Sequence, residues 1–325
     1  MSKKHVLCVP NFSDGKNMEG INAAVEAVKN VPTVKIVAVE PEANFNRTVL
    51  TYICDPEYCE ESMLKLAEQL YKFINMETQK GDHPRIGALD TMPVFPLGEM
   101  TLEETTELAE KLGQSLHDHF SVPVYFSGQN ARTEYKKSNT NIRRGQYEGL
   151  KAILEDKENE KYDERKPDLS VNGELDAKMG ACTVSSDLEG LTAYNVYVES
   201  EDVSISKKIA KRVKSDEHGW ASIKSVGFKD EGHPGTAVSM NVFDASETPL
   251  AMLSEWVNVE AEKDGTKVIS TGLVGPVKLK YIVEAAQHYG HEFDGKDYDG
   301  MIKVLEDKMG LEGFKKESII EYHLD

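Results

Sequence analysis

The chain has 325 residues, of which 39% are apolar, enough to fill two cores rather than one. Its net charge of −18 excludes nucleic acid as the main partner, because phosphate binding needs a basic face. No apolar run reaches the roughly 20 residues that cross a bilayer, so a membrane partner is not expected either.

The stretch "HVLCVP" (5–10) reads as a first strand ending at Pro10, and it is too short for a signal-peptide core. "NFSDG" then turns the chain, and Ile21, Ala24, Val25 and Val28 give 18–29 a helical apolar face. Alternation makes strands of 33–40 and 46–54, after which Asp55 caps a helix with Pro56 at its first position, running to about Ile74. A strand over 91–97 precedes a helix opened by Thr101 and running to about Phe120. Glu103 and Glu104 in its first turn favour the helix dipole. A strand over 122–128 closes this series. Residues 155–178 are charged and poor in large apolar side chains, as in a linker or long surface excursion.

A second series repeats the order. It has a strand over 191–200, a helix over 203–214, and strands over 222–228 and 236–244 paired across "KDEGHPG". Thr248 caps the next helix, Pro249 begins it, and Gly265 stops it after Lys263. A strand over 267–271 and helices over 278–288 and 300–308 finish the chain. Each half therefore runs strand–helix–strand–strand–helix–strand, the split βαβ order. The expected fold class is α+β: two ferredoxin-like subdomains, each with one mixed sheet and helices on one face. The sheets are expected to pack together around a cleft or tunnel. The expected boundaries are 1–178 and 179–325.

Cys8, Cys54, Cys59 and Cys182 form no CxxC pair and no metal spacing, so they read as reduced packing residues of a cytoplasmic protein, with no metal site. Against the acidic background, Lys136, Lys137, Arg143 and Arg144 gather within "YKKSNTNIRRGQY" (135–147). They are either ordinary solvated surface or a landing site for a polyanionic tail.

"GDHPRIGALD" (81–90) is the most distinctive stretch. Gly81 and Gly87 permit close backbone approach, and Pro84 holds His83 toward extended geometry. Such a loop presents an imidazole rigidly, suited to general acid–base work. Asp82, Asp90 or Glu40 could orient it, and Arg85 could clamp a carboxylate. The alternative is a histidine that only bonds to backbone. The other histidines carry less: His117 and His119 do not share a helix face, and turn chemistry accounts for His233. His5, His218, His288, His291 and His323 have no partner pattern, and no HExxH, G-x-S-x-G or phosphate loop appears.

The stretches "CVPNFSDGKN" (8–17), "NRTVLTY" (46–52), "KGDHPRIGALD" (80–90), "VPVYFSGQNAR" (122–132) and "IRRGQYEGL" (142–150) resemble, in order, the motifs of glutamate formiminotransferases. "GACTV" (180–184) and "STGLVGPVKLKYIVEAAQHY" (270–289) are similar to that family's second subdomain. The resemblance implies transfer of a formimino group between N-formimino-L-glutamate and tetrahydrofolate, the folate acting as co-substrate. It implies His83 as catalytic histidine, assisted by Glu40 where the family usually has Asp. Asn11, Asn46, Arg47, Arg85, Asp90, Met179 and Gly180 are implied in substrate or folate binding, with Arg47 and Arg85 meeting carboxylates. Lys136, Lys137, Arg143 and Arg144 become candidate polyglutamate contacts. A further departure is Asp187 and Glu189 where the family usually carries Arg-Lys. The resemblance also implies a homodimer and a separate cyclodeaminase acting on the product. Glutamate formyltransfer from 5-formyltetrahydrofolate, a folate-binding protein without turnover, and an amidine hydrolase are the alternatives.

Overall fold

A computed structural model describes residues 3–213, 220 and 223–324, and the chain divides into two units, Met1–Leu188 and Glu189–Asp325. The ends expected at Lys214 and Ser222, and His218 between them, lie outside the described residues.

The first unit begins β1 (Lys4–Cys8), β2 (Asn11–Phe12), α1 (Met18–Lys29), β3 (Lys35–Glu42), β4 (Arg47–Cys54), α2 (Pro56–Phe73) and β5 (Leu89–Gly98). It continues α3 (Leu102–Phe120), β6 (Val124–Gly128), α4 (Asn139–Ile142), α5 (Gln146–Leu154), α6 (Tyr162–Arg165) and β7 (Cys182–Ser186). Asn17 caps α1 by accepting from the Gly20 amide at 3.1 Å, and Ile21, Ala24 and Val28 are buried along one face. Thr101 and Glu104 close a capping box on α3. Asp55 stands at the N-cap of α2 without a capping bond; its carboxylate pairs with His5 at 3.0 Å instead, and Pro56 starts the helix.

In the sheet, β3 pairs with β4, β4 with β1, and β1 with β5, all antiparallel. That is the split βαβ order read from the sequence. Pro10 interrupts the first strand without ending it. Asn11 and Phe12, expected in a turn, pair with β4 and β5 as β2. Beyond β5 lie β7 and then β6, both parallel joins, which makes a mixed sheet of seven strands.

That extension moves the boundary. A cut at 178/179 separates β7 from a sheet in which it is hydrogen-bonded on both sides, so the first unit runs to Leu188. The excursion over 155–178 also belongs to the first unit, because the Leu169 carbonyl accepts from the Val124 amide at 2.9 Å and Arg165 is buried. Alternation along β6 locates the core. Val124 and Phe126 face the main cluster with residues of α1, α2 and α3, while Tyr125 packs on the other face with Ile142, Leu150 and Leu154. Helices on one face only therefore fails at this end of the sheet.

The second unit comprises β8 (Thr192–Val198), α7 (Val203–Val213), β9 (Ile223–Phe228), β10 (Thr236–Val242), α8 (Leu250–Lys263), β11 (Val268–Val274), α9 (Leu279–His288) and α10 (Tyr298–Met309). Its four strands run in the order β11-β8-β10-β9, the same split βαβ arrangement, but every join is antiparallel rather than mixed. Pro249 keeps extended backbone at the N-cap of α8, so the helix opens at Leu250 and Thr248 makes no capping bond. Among the described residues no helix is long and apolar enough to cross a membrane.

Candidate active site

His83 lies in the loop between α2 and β5, and glycines set how closely that loop approaches its neighbours. A Cβ on Gly81 would collide with the Phe45 carbonyl, and one on Gly87 with the Ala181 carbonyl. Gly180, at φ +73°, leaves the matching space for the Ile86 carbonyl. The Ala88 amide donates to the Met179 carbonyl at 2.8 Å and the Ala181 amide to that of Ile86 at 3.0 Å. Met179 and Gly180 thus act here through backbone, as a rail for the loop. Asp90 is buried beneath it and accepts from the Ile86 amide at 2.6 Å and the Gly87 amide at 3.3 Å. Its other oxygen pairs with Arg143.

The turn from β3 to β4 closes the other side. The Asn46 side chain accepts from the Gly15 amide at 3.1 Å and donates to the Lys80 carbonyl at 2.6 Å. Arg47 follows, and its Nη1 donates to His83 Nε2 at 2.8 Å. A guanidinium offers no lone pair, so Nε2 is the acceptor and the neutral ring carries its proton on Nδ1. His83 Nδ1, Arg47 Nε and Arg143 Nε are all buried without a hydrogen-bond partner. Burial, then Arg47 and Arg143, push the His83 imidazole down to about 3, opposed by the Pro84 backbone. At neutral pH the ring is uncharged.

Glu40 pairs in register with Val49 of β4. Burial raises its carboxyl and Arg47 opposes that shift, but it makes no hydrogen bond to His83. Its charge acts on Arg47. Asn11 donates to the Val9 carbonyl at 3.0 Å and sits between β4 and β5.

Arg85 is buried and fully committed. Its five N–H groups reach the Gln79 side chain and carbonyl, Gln146 Oε1 and both oxygens of Glu148, at 2.7–2.9 Å. It therefore holds the loop to α5. Sequence reading missed Glu148 and Gln79, because nothing in their spacing marks them as partners of Arg85.

The four basic residues do not form one patch. Lys136 is buried in an ion pair with Asp168 at 2.6 Å, and Arg143 is half-buried beside His83 and Arg47. Lys137 pairs with Glu134 at 2.7 Å, and it and Arg144 are exposed.

The family model described as "Formiminotransferase domain, N-terminal subdomain" matches residues 5–187, and "Formiminotransferase domain" matches 193–325. The chain belongs to the formiminotransferase domain family. Among its relatives, a glutamate formimidoyltransferase of Thermoplasma acidophilum is 31% identical over 87% of this chain and 91% of its own. One from Streptococcus pyogenes serotype M1 is 27% identical over 94% and 99%. A formimidoyltransferase-cyclodeaminase of Sus scrofa is 32% identical over 98% of this chain but only 59% of its own length. Within this formiminotransferase chain Asp187 and Glu189 have local partners. Burial raises the Asp187 carboxyl to about 6, opposed by a hydrogen bond from Gln129. Glu189 is neutralised by Lys278 at 2.9 Å and Lys280 at 2.5 Å, and accepts from the Tyr281 hydroxyl at 2.8 Å.

Proposed function

We propose that this chain transfers a formimino group between N-formimino-L-glutamate and tetrahydrofolate, with His83 moving the proton. The observation that carries this reading is the set of three unmet, buried polar groups around one uncharged imidazole: His83 Nδ1, Arg47 Nε and Arg143 Nε. Arg47 and Arg143, the latter already paired with Asp90, each bury an unmet Nε–H, so the site has place for a further carboxylate. The glutamate moiety supplies one. Its arrival draws Arg47 off His83 Nε2, frees that lone pair, and adds negative charge that raises the proton affinity of the imidazole.

The folate amine then attacks the formimino carbon and a C–N bond forms. His83 takes the proton from the attacking nitrogen and returns it to the glutamate nitrogen, whose C–N bond breaks. No proton is consumed overall, and positioned acid–base transfer of this kind contributes about 10² to 10⁴ in rate. Glu40 offsets part of the Arg47 charge and so lessens its repulsion of the imidazolium. Folate contacts are assigned to half-buried Met179 and to the backbone at Gly180, and Asn46 borders the same loop while Asn11 lies between β4 and β5. We read the protein as a cytoplasmic homodimer, its product passing to a separate cyclodeaminase; the four unpaired cysteines support the compartment.

The test is an assay of purified protein with formiminoglutamate, with and without tetrahydrofolate. Turnover only with the folate supports the proposal. Folate-independent ammonia release makes it a hydrolase, binding without turnover makes it a folate carrier, and turnover only with 5-formyltetrahydrofolate makes it a formyltransferase.

A further inference from the structure

Three of the four cysteines, spread over the sequence, meet inside the first unit. Cys8 ends β1, Cys54 ends β4, and Cys59 lies in the first turns of α2. All three are fully buried, and their sulfurs lie within 4.8 Å of one another, with Cys8 and Cys59 at 3.5 Å. Cys182, the fourth, is not part of this group. Packing alone does not require three polarizable sulfurs to converge, and the proposed transfer uses none of them.

We propose that Cys8, Cys54 and Cys59 form a three-sulfur site for a soft monovalent ion of the Cu(I) class. Three sulfurs around one ion at about 2.3 Å stand about 4 Å apart, and the observed spacing brackets that distance. The donor set selects the ion. Sulfur without carboxylate or imidazole excludes Mg²⁺ and Ca²⁺ and favours Cu(I) or Zn²⁺. Zinc needs a fourth ligand. The nearby hydroxyl of Ser62 is already engaged, donating to the Cys59 carbonyl at 2.8 Å and lying 3.0 Å from Tyr52 Oη. A three-coordinate ion needs none.

Because no sulfur is exposed, the ion enters while the unit folds or through local opening.

The full chain, reduced and anaerobic, is incubated with one equivalent of Cu(I) as a weak complex, both folded and during refolding. It is then challenged with a Cu(I) chelator. One copper retained per chain in either case, a sulfur-only shell of three by X-ray absorption, and a raised Tm are the expected results. Cys54→Ala and Cys59→Ala should each lower retained copper at least about tenfold, and Cys182→Ala should not. No retention by either route, or nitrogen or oxygen in the copper shell of the unmodified chain, overturns the proposal without need of any variant. So does equal retention by a folded Cys54→Ala chain, its fold checked by circular dichroism.

Discussion

The loop that carries His83 has two unlike sides. On one, Arg85 spends all five donors on Gln79, Gln146 and Glu148. On the other, Arg47 and Arg143 flank a neutral imidazole, and three polar atoms lack partners. Both sides bring guanidinium groups into a poorly solvated place, but only one completes them. A buried cation that is fully paired is scaffold, while one left unfinished marks where a ligand anion belongs. By that measure the proposed substrate carboxylate would go to Arg47 and Arg143, while Arg85 holds the loop.

The largest effect that sharpens this contrast is at the imidazole. His83→Ala should lower turnover at least about 10²-fold with folate affinity nearly intact, read by steady-state kinetics and a binding titration. A variant retaining most of its activity would remove His83 from the reaction. On the open side, Arg47→Gln and Arg143→Gln should each lower kcat/KM for the glutamate derivative about tenfold or more, chiefly through KM. Arg143→Gln should also shift the acid limb of kcat/KM upward, because one of the charges holding the imidazole down is gone. An unmoved limb separates Arg143 from His83.

On the closed side, Glu148→Ala should cost about 1.5–3 kcal/mol in urea denaturation while kcat changes less than tenfold. A large loss of kcat with unchanged stability would reverse the roles of the two sides. A smaller effect concerns acid stability. His83 is held at about 3 in the folded chain against about 6.5 unfolded, so the unfolded state binds the extra proton first. Stability is thus lost as pH falls from about 6.5 toward 3, and His83→Asn should flatten that part of the curve in thermal melts at pH 7 and 5. The smallest effect is at Lys137 and Arg144. Replacing both with Ala should change KM for mono- and polyglutamate folates by less than about twofold, as expected of solvated surface charges.

Much of this was legible in the sequence because it follows from periodicity and stereochemistry. The apolar spacing of Ile21, Ala24 and Val28 and the capping pair Thr101–Glu104 need only local rules, and the duplicated βαββαβ order follows from them. Gly81 and Gly87 announced close approach, and both meet carbonyls. What stayed hidden depends on pairing across long separations. Nothing local tells that β7 slots beside β5, that Lys136 turns inward to Asp168, or that Glu148 completes Arg85. The basic residues look like one patch in a linear reading because neighbours in sequence are assumed to share a surface. A helical turn over α4 sends Arg143 inward and Arg144 outward.

The place of β7 in the sheet also dictates an order of events at birth. As the chain leaves the ribosome, β1 to β5 can assemble early, yet the rail for the His83 loop is made of residues that emerge only after α6. Until then β5 presents an unpaired edge, a temporary template for association with other nascent chains. Closing so distant a pairing is slow, and catalytic competence of this half is acquired last, with the arrival of the residues around Gly180.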